Sequence, residues 1–334
     1  MRTISIIIVL FTLLVGGYGC KKTVPSRSAE TLKAASHVQV PTFCADSAYA
    51  FVAQQVAFGP RVPATTAHTA CGNYLADKLT AFGAQVQRQE GTMRLYDGRT
   101  MALCNIIGSY NLHARQRILL CAHWDSRPMA DQEQDVTQRS RPIDGANDGA
   151  SGVGVLLEVA RQLQQYPIEK IGVDIIFFDL EDWGAPENFQ GNSEHSWCLG
   201  AQYWAKNLHR DDYHANYGIL LDMVGGRGAL FFQEQISMHF APHIVQRVWQ
   251  TAQQHGFDAQ FVSRMGGAVT DDHLYINQLA GIPCIDIIQY DPNSLTGFAP
   301  YWHTHADNLN TVDSATLYVV GQTLLHVLYE SKSQ

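Results

Sequence analysis

IGVDIIFFDLED, residues 171–182, is a short and nearly continuous apolar run that ends in acidic residues. A run of this kind is typical of a strand that is buried on both faces of a parallel sheet. Four other segments have the same texture: LCNIIGSY (103–110), RILLCAHWD (117–125), YGILLDMVG (217–225) and PCIDIIQY (283–290). We therefore expect a sheet whose central strands are covered on both faces.

Segments with a helical spacing of apolar residues alternate with these strands. The predicted helices are 46–57, 65–82, 151–165, 198–208, 239–255 and 313–330. The segment AQVQRQEG (84–91) alternates in the manner of an edge strand. This order predicts a single α/β domain with a central mixed, mostly parallel sheet that is flanked by helices.

Length and composition describe a globular protein. The chain has 334 residues, of which 46% are hydrophobic and 16% are charged, so a sizeable core is available and a disordered chain is excluded. The formal net charge is -8, and no run of basic residues occurs. Because phosphate contacts need clustered Lys and Arg, we expect no binding to nucleic acid.

The amino terminus has the organisation of an export signal. One basic residue and an apolar run, shorter than the roughly 20 residues that span a bilayer, precede small residues and Cys20. This stretch resembles the bacterial lipoprotein cleavage box, in which the cysteine carries lipid. We expect a lipoprotein signal peptide at 1–19, a polar tether at 20–43 and the main domain at 44–334. The protein would then be exported and anchored to a membrane through Cys20, facing the periplasm or the cell surface.

The other six cysteines show no C-x-x-C spacing of the kind that binds metals. Several lie in apolar runs, as in ILLCAH and IPCIDII, where an ordinary buried thiol is expected. An even number of cysteines in an exported chain permits disulfides, but the spacing predicts no particular pairing.

Titratable residues stand where three of the predicted strands end. RILLCAHWD ends in His123 and Asp125, IGVDIIFFDLED ends in Glu181 and Asp182, and YGILLD ends in Asp222. In open α/β sheets, ligands bind beyond the carboxyl ends of the strands. One shared site at this edge of the sheet would explain all of these residues.

Neighbouring acids that follow a strand point in different directions, which separates the roles of Glu181 and Asp182. One carboxylate could bind a metal while the other stays free as a general base; a solvated acidic loop is the alternative. In GANDGASG, glycines beside Asp148 let the backbone approach a bound cation, although the same segment could equally supply a helix N-cap. A lone acid such as Asp222 is more often hydrogen-bonded structure.

Two later segments carry further candidates. TDDHLYINQLAGIP (270–283) contains Asp271, and an acidic helix N-terminus explains this segment as well as a functional role does. YWHTHADN (301–308) contains His303 and His305. Zinc takes nitrogen and oxygen donors in a tetrahedral set that keeps one position open when the metal is catalytic. No nucleophile elbow, phosphate-binding loop or H-E-x-x-H pair competes with this chemistry.

Taken in order, AHWDS, GANDGASGVGVLLEVAR, FFDLEDWG, LLDMVG, TDDHLYINQLAGIP and WHTHADNLNTVD resemble the zinc aminopeptidase superfamily and, within it, the glutaminyl cyclases. The resemblance covers about 44–330 and implies a phosphorylase/hydrolase-like fold in one catalytic domain. It implies one zinc ion, held by Asp148, Asp182 and His303. Animal cyclases have Glu where this chain has Asp182, and Asp can still reach the metal if the backbone lies closer.

The same resemblance implies how the other residues act. Glu181 would be the general acid/base, Asp222 and Asp271 would form a hydrogen-bonded relay beside it, and Trp302 would line the substrate pocket. Trp183 is a second candidate for the pocket wall, with a packing role as an equal alternative. The implied reaction cyclises the N-terminal glutaminyl residue of a peptide to pyroglutamate and releases ammonia.

Two other functions are compatible with parts of the sequence. In a di-zinc aminopeptidase, His123 and Asp222 would hold a second metal with Asp148 as the bridge; otherwise His123 would support the single-metal site. A lipoprotein that only binds peptides would need no Glu181 beside a full ligand set. The cyclase is favoured by Trp302 directly before the histidine, by the second acid in TDDH and by HWDSRP after the first histidine strand.

The decapeptide YWHTHADNLN (301–310) then divides into parts. If the segment is extended, His305 points away from the metal, so we expect a structural or supporting role for it. We expect Asp307 and Asn308 to organise the turn into the last helix.

Overall fold

Eight strands and eight helices make up the part of the chain that the computed structural model describes, residues 39–331. The strands are β1 (Gln85–Arg94), β2 (Thr100–Tyr110), β3 (Gln116–His123), β4 (Ile171–Phe178), β5 (Tyr217–Asp222), β6 (Phe231–Gln233), β7 (Phe261–Met265) and β8 (Cys284–Ile288). The helices are α1 (Ala45–Ala57), α2 (Thr66–Ala81), α3 (Ala150–Gln165), α4 (Leu199–Lys206), α5 (Gln235–Phe240), α6 (Pro242–Gln254), α7 (Asp272–Tyr275) and α8 (Ser314–Tyr329). A π-helical turn, Ile276–Ala280, continues α7.

The main sheet has the strand order β1–β2–β4–β3–β5–β8. Strands β4, β3, β5 and β8 run parallel to one another, whereas β2 is antiparallel to both of its neighbours, β1 and β4. Strands β6 and β7 form a separate parallel pair. The prediction of a mixed, mostly parallel sheet is confirmed, and β1 lies at its edge as the alternation of AQVQRQEG indicated.

Successive side chains of the central strands enter two different hydrophobic layers, because side chains alternate across a strand. In β3, Leu120 and Ala122 lie in the larger layer with residues of α1, α3 and α8. Leu119 and Cys121 lie in the smaller layer with Trp204 of α4. Full burial of one aliphatic side chain contributes about 1.5–3 kcal/mol of transfer free energy, so both layers favour an apolar strand.

Two glycines bring α3 close to its neighbours. A Cβ atom at Gly152 would lie 2.3 Å from the carbonyl oxygen of Leu221 in β5. A Cβ atom at Gly154 would lie 2.9 Å from the carbonyl oxygen of Ala48 in α1. The amino end of α3 is therefore held against the end of β5, which places Asp148, two residues before the helix, over the strand ends.

The predicted helix over 239–255 is largely confirmed as α6, but its first two residues, 239 and 240, belong to a separate helix, α5. The helical region contains two helices, α5 and α6, that are separated at Ala241. Pro242 begins the second helix, since proline has no N–H to continue an earlier turn but suits the first helical position. The short strands β6 and β7 were not predicted, while the other predicted helices are confirmed with small changes at their ends.

The domain starts earlier than the sequence predicted. The expected signal peptide at 1–19 and Cys20 lie outside the described residues, but the last residues of the predicted tether belong to the fold. Phe43 is buried against Gly321 of α8, and its backbone N–H donates to Oε1 of Gln322 at 2.8 Å. The boundary at 44 is thus corrected. Of the helices within 39–331, none is long and apolar enough to cross a membrane.

Candidate active site

A cavity of about 400 Å³ lies at the carboxyl ends of the parallel strands. Its lining includes five acids that come from four separate segments of the chain: Asp148, Glu181, Asp182, Asp222 and Asp271. His303 and Trp302 also line it. The structure therefore brings most of the predicted residues together at one edge of the sheet, as expected from the positions where their strands end; His123 and Trp183 do not line this cavity.

Asp148, Asp182 and His303 form a compact group in which the ligand atoms all lie within 4.8 Å of one another. Nε2 of His303 is 3.2 Å from Oδ1 of Asp182 and 3.6 Å from Oδ2 of Asp148. All three side chains are buried, and Oδ2 of Asp182 has no hydrogen-bond partner. Two carboxylates and one imidazole fit a zinc ion, and they leave the fourth tetrahedral position open.

The electrostatics of this group also fit a cation. Burial raises the pKa of Asp182, and the charge of Asp148 raises it further. Burial disfavours the charged form of His303, yet the charge of Asp182 and the nearby carboxylate of Asp131 raise its pKa. Buried carboxylates without a counter-charge cost free energy. A divalent cation between these side chains would offset that cost.

A glycine turn and a distant carboxylate position Asp148. Gly149 has a φ of 94°, and a Cβ atom there would lie 2.7 Å from the carbonyl oxygen of Asp125. Asp307 accepts hydrogen bonds from the backbone N–H groups of Asn147 and Asp148, at 2.8 and 3.0 Å. Because Gly149 is itself the N-cap of α3, the N-cap alternative for Asp148 does not hold. The prediction that Asp307 organises the turn into the last helix is corrected: it holds the loop that carries Asp148.

Glu181 stands beside the ligand group without belonging to it. The backbone N–H groups of Glu181 and Asp182 donate to the two carboxylate oxygens of Asp125, at 3.1 and 3.2 Å, which fixes the turn after β4. Burial raises the pKa of Glu181 well above its usual range; the charge of His123 opposes this shift, and nearby Asp271 adds to it. A buried carboxyl with a raised pKa suits a group that both accepts and returns a proton.

Cys198 contacts Glu181 directly. Its Sγ donates to Oε1 of Glu181 at 3.2 Å, and its backbone N–H donates to the carbonyl oxygen of Glu181 at 3.0 Å. The six cysteines within residues 39–331 are free thiols, so no disulfide competes for this side chain. The sequence offered no signal for this contact, because a cysteine before an amphipathic helix has no defining pattern.

Asp222 and Asp271 have different partners in the site. Asp271 comes within the same 4.8 Å group as Glu181 and Cys198, and one of its oxygens has no hydrogen-bond partner. Burial raises the pKa of Asp222 to about 7, and the charge of Asp148 acts in the same direction. Asp222 pairs with His123 rather than with Glu181: its Oδ1 is 3.2 Å from Nε2 of the histidine. The structure thus places one member of the predicted relay beside the acid/base candidate and the other beside His123.

His123 lies between four carboxylates, the most distant of which is Oε2 of Glu181 at 4.0 Å from Nδ1. Its Nε2 lies 3.0 Å from Asp148 and 3.2 Å from Asp222, and its Nδ1 lies 3.5 Å from Asp125. Burial disfavours the charged imidazole, but hydrogen bonds with these acids prevail and raise its pKa well above the usual range. The ligand atoms of His123, Asp148 and Asp222 also lie within 4.8 Å of one another, so this histidine can either take a metal or hold the acids by hydrogen bonds.

Two tryptophans line the cavity, but only one of them was predicted. Trp302 stacks on His303 with ring centroids 3.7 Å apart and contacts Phe298 at 4.4 Å. Trp197 provides the other indole. Trp183 is not among the lining residues: it packs in a buried cluster with Leu95, Leu103, Leu180 and Leu199. The expectation that Trp183 forms the pocket wall is therefore corrected to its packing alternative.

His305 does not join the ligand group, in line with the expectation for this residue. Its Nδ1 and its backbone N–H lie 3.1 and 3.2 Å from Oε2 of Glu133. The neighbouring His303 adopts a left-handed backbone with a φ of 55°, which is uncommon outside glycine. This turn, rather than an extended strand, directs the two histidine side chains to different partners.

The comparison with protein families matches residues 105–328 to the model described as Peptidase family M28. The chain belongs to peptidase family M28. Among curated proteins, this M28 chain is similar to aminopeptidase YwaD of Bacillus subtilis, with 27% identity over 260 residues. That match covers 74% of this chain and 49% of the relative, so the chain spans about half the length of that aminopeptidase.

Solved structures resemble this M28 chain over most of its length. A Zn-dependent exopeptidase from Parabacteroides distasonis is 55% identical, with a TM-score of 0.86 over 87% of this chain and 99% of that one. A glutaminyl cyclase from Bacteroides thetaiotaomicron is 52% identical, with a TM-score of 0.86 over 88% and 100%. The glutaminyl cyclase of Tannerella forsythia is 50% identical, with a TM-score of 0.86 over 87% and 100%.

Proposed function

We propose that this protein is a zinc-dependent glutaminyl-peptide cyclotransferase. It would convert the N-terminal glutaminyl residue of a peptide to pyroglutamate and release ammonia. The proposal is carried by the buried Asp148–Asp182–His303 group with Glu181 beside it but outside it, in a chain that is 52% identical to a glutaminyl cyclase over 88% of its length. One zinc ion per chain is expected from this ligand group.

The chemistry divides between binding and proton transfer. A zinc ion held by Asp148, Asp182 and His303 would supply a Lewis acid for the side-chain γ-carbonyl of the substrate. Glu181 would take a proton from the attacking α-amine and return it to the leaving amide nitrogen. One C–N bond forms, one breaks and ammonia leaves, so no water is consumed. Asp271 would orient Glu181, since it is the acid that the structure places beside it.

The shape of the cavity suits an intramolecular reaction. Nucleophile and electrophile belong to the same residue, so the pocket has to hold the glutaminyl side chain in a folded conformation. Trp302 and Trp197 provide rigid aromatic surfaces on this cavity. These walls would also limit the access of water to the carbonyl carbon, which favours cyclisation over hydrolysis.

Two peptides separate the cyclase from an aminopeptidase. The purified protein is incubated with a Gln-initiated and a Leu-initiated peptide, and ammonia and free leucine are measured. Ammonia from the first peptide with no cleavage of the second is expected, and release of free leucine would show a peptidase instead. Glu181→Gln should abolish turnover, by a factor of about 10²–10⁴ or more, while zinc stays bound.

We also propose a location for the protein in the cell. The sequence of the first twenty residues supports export as a lipoprotein with its anchor on Cys20 and its domain facing the periplasm or the cell surface. Labelling of cells with radioactive palmitate should mark the wild-type protein and fail to mark a Cys20→Ala variant. Equal labelling of both would disprove the anchor without bearing on the activity.

A further inference from the structure

A fully buried arginine lies directly behind the metal ligands. Nε and Nη2 of Arg127 donate to the two carboxylate oxygens of Asp131, at 2.8 and 2.6 Å. Nη1 donates to the backbone carbonyl oxygens of Asp182 and Gly184, at 2.9 and 3.3 Å. The planar guanidinium therefore uses its fixed fork to contact one carboxylate and the ligand-bearing loop at the same time.

Asp131 extends this contact to a metal ligand. Its Oδ1 lies 3.2 Å from Nδ1 of His303, an ion-pair distance, although the ring N–H is not aligned for a hydrogen bond. A proton on Nδ1 leaves the lone pair of Nε2 free, and Nε2 is the atom that faces Asp148 and Asp182. The negative charge of Asp131 beside Nδ1 thus favours a proton on that nitrogen, which is the tautomer that a metal ion on Nε2 needs.

Arg127 also supports the substrate side of the cavity. Its Cζ lies 4.5 Å from the ring centroid of Trp197, a distance typical of a cation–π contact. The same indole packs on Gly184, where a Cβ atom would lie 1.9 Å from a ring atom, and its plane is nearly parallel to that of His303. The guanidinium of Arg127 therefore contacts both the backbone of the loop that carries Asp182 and the aromatic wall formed by Trp197.

We propose that Arg127 and Asp131 are positioning residues that couple zinc affinity to the shape of the substrate wall. Asp131 orients His303 for the metal, and Arg127 holds Asp131, the loop of Asp182 and Trp197 in one arrangement. The proposal rests on the zinc site of the proposed function. It assigns roles to two residues that contact neither the metal nor the γ-carbonyl of the substrate.

The chain offers a matched control for the loss of a buried ion pair. Arg117 and Asp174 form a second buried bidentate pair, with distances of 2.7 and 2.7 Å, at the amino-terminal half of the parallel strands. Asp131→Asn and Asp174→Asn each remove the carboxylate charge of one such pair and keep the side-chain shape, although Asp131 is partly exposed (14% of its side chain) and Asp174 is fully buried. Only the first substitution affects a residue that contacts the ligand group.

The decisive measurement is zinc binding, which requires no turnover. Competition with a chromophoric chelator should show that Asp131→Asn raises the Kd for zinc about 10–100-fold, while Asp174→Asn leaves it within about twofold of the wild type. An unchanged Kd in Asp131→Asn would overturn the role of this residue. A wild type that binds zinc but cyclises no glutaminyl peptide would instead disprove the proposed function and leave this result standing.

Activity at saturating zinc distinguishes the role of Asp131 from that of Arg127. Saturating zinc should return Asp131→Asn to near wild-type kcat and KM, because Arg127 still supports Trp197. The same zinc should not restore Arg127→Met, whose KM should stay raised severalfold by the loss of the aromatic wall. Arg127→Lys, which keeps the charge without the fork, serves where the methionine variant does not fold. Full recovery of the Arg127 variant by zinc would overturn its link to the wall.

Discussion

The thiol of Cys198 donates a hydrogen bond to Oε1 of Glu181 across 3.2 Å, and both side chains are buried. The other oxygen of this carboxyl, Oε2, lies 4.0 Å from Nδ1 of His123 and is then the one left for proton transfer. Cys198 also binds the backbone of Glu181 and has a left-handed φ of 59°. A strained residue thus fixes the acid/base candidate at two points.

Removal of this thiol should reduce catalysis without removing the metal. Cys198→Ala loses one hydrogen bond to a carboxylate, worth about 1 kcal/mol, so kcat should fall about fivefold while the Kd for zinc is unchanged. Cys198→Ser keeps a donor and should retain more activity. Steady-state kinetics with a Gln-initiated peptide measure the effect, and equal kcat in wild type and Cys198→Ala would contradict it.

Zinc binding should depend on the Asp148–Asp182–His303 group and not on His123. Dialysis against a chelator should abolish activity, and one equivalent of zinc should restore it. His303→Ala should bind no zinc, whereas His123→Gln should still bind one ion per chain. Mass spectrometry of the metal content gives the stoichiometry, and two ions in the wild type with one in His123→Gln would instead support a second metal at His123.

Loss of Asp307 should loosen the loop that carries a metal ligand. Asp307→Ala leaves the buried N–H groups of Asn147 and Asp148 without an acceptor, at a cost of about 1–3 kcal/mol for each unsatisfied group. We expect a lower Tm and weaker zinc binding. Asp307→Asn keeps one acceptor oxygen and should lower the Tm and the zinc affinity less than Asp307→Ala does. Calorimetry and zinc titration of the wild type and both variants test this ranking. An alanine variant with unchanged Tm and zinc affinity would show that the Asp148 loop keeps its shape without Asp307.

A histidine away from the site should make the protein less stable in acid. Trp204 donates from Nε1 to Nδ1 of His209 at 3.1 Å, and burial lowers the pKa of His209 to about 4 from its usual 6.5. The unfolded chain binds a proton below about 6.5 but the folded chain only below about 4, so stability is lost as the pH falls through this window. His209→Gln removes the effect. Between pH 7 and pH 5, its free energy of unfolding should fall by about 1–2 kcal/mol less than that of the wild type, measured with urea.

The sheet and the convergence of acids could be predicted from the sequence because both depend on strand texture. IGVDIIFFDLED shows a strand buried on both faces and names the acids at its end. The break at Pro242 was less visible, because the apolar spacing continues across it and only the missing proline N–H separates α5 from α6. Strands as short as β6 and β7 hold too few residues to show a period.

The supporting residues of the site could not be predicted in the same way. Arg127 and Asp131 lie in a loop of mixed polarity, and nothing in such a loop shows that an arginine will be buried. Trp183 was the more visible aromatic, being next to Asp182, but Trp197 occupies the wall because the chain folds back over Gly184. Contacts between distant segments depend on the path of loops, which local patterns do not record.

The hydrogen bonds from Asn147 and Asp148 to Asp307 join positions 160 and 159 residues apart in the chain. During translation, a nascent chain that has reached residue 300 has both metal-binding carboxylates but lacks His303 and the acceptor that shapes the Asp148 loop. Zinc can therefore bind only after the segment that follows residue 300 has been synthesised. A chain that terminates before this segment would contain the acids at the strand ends but would be inactive.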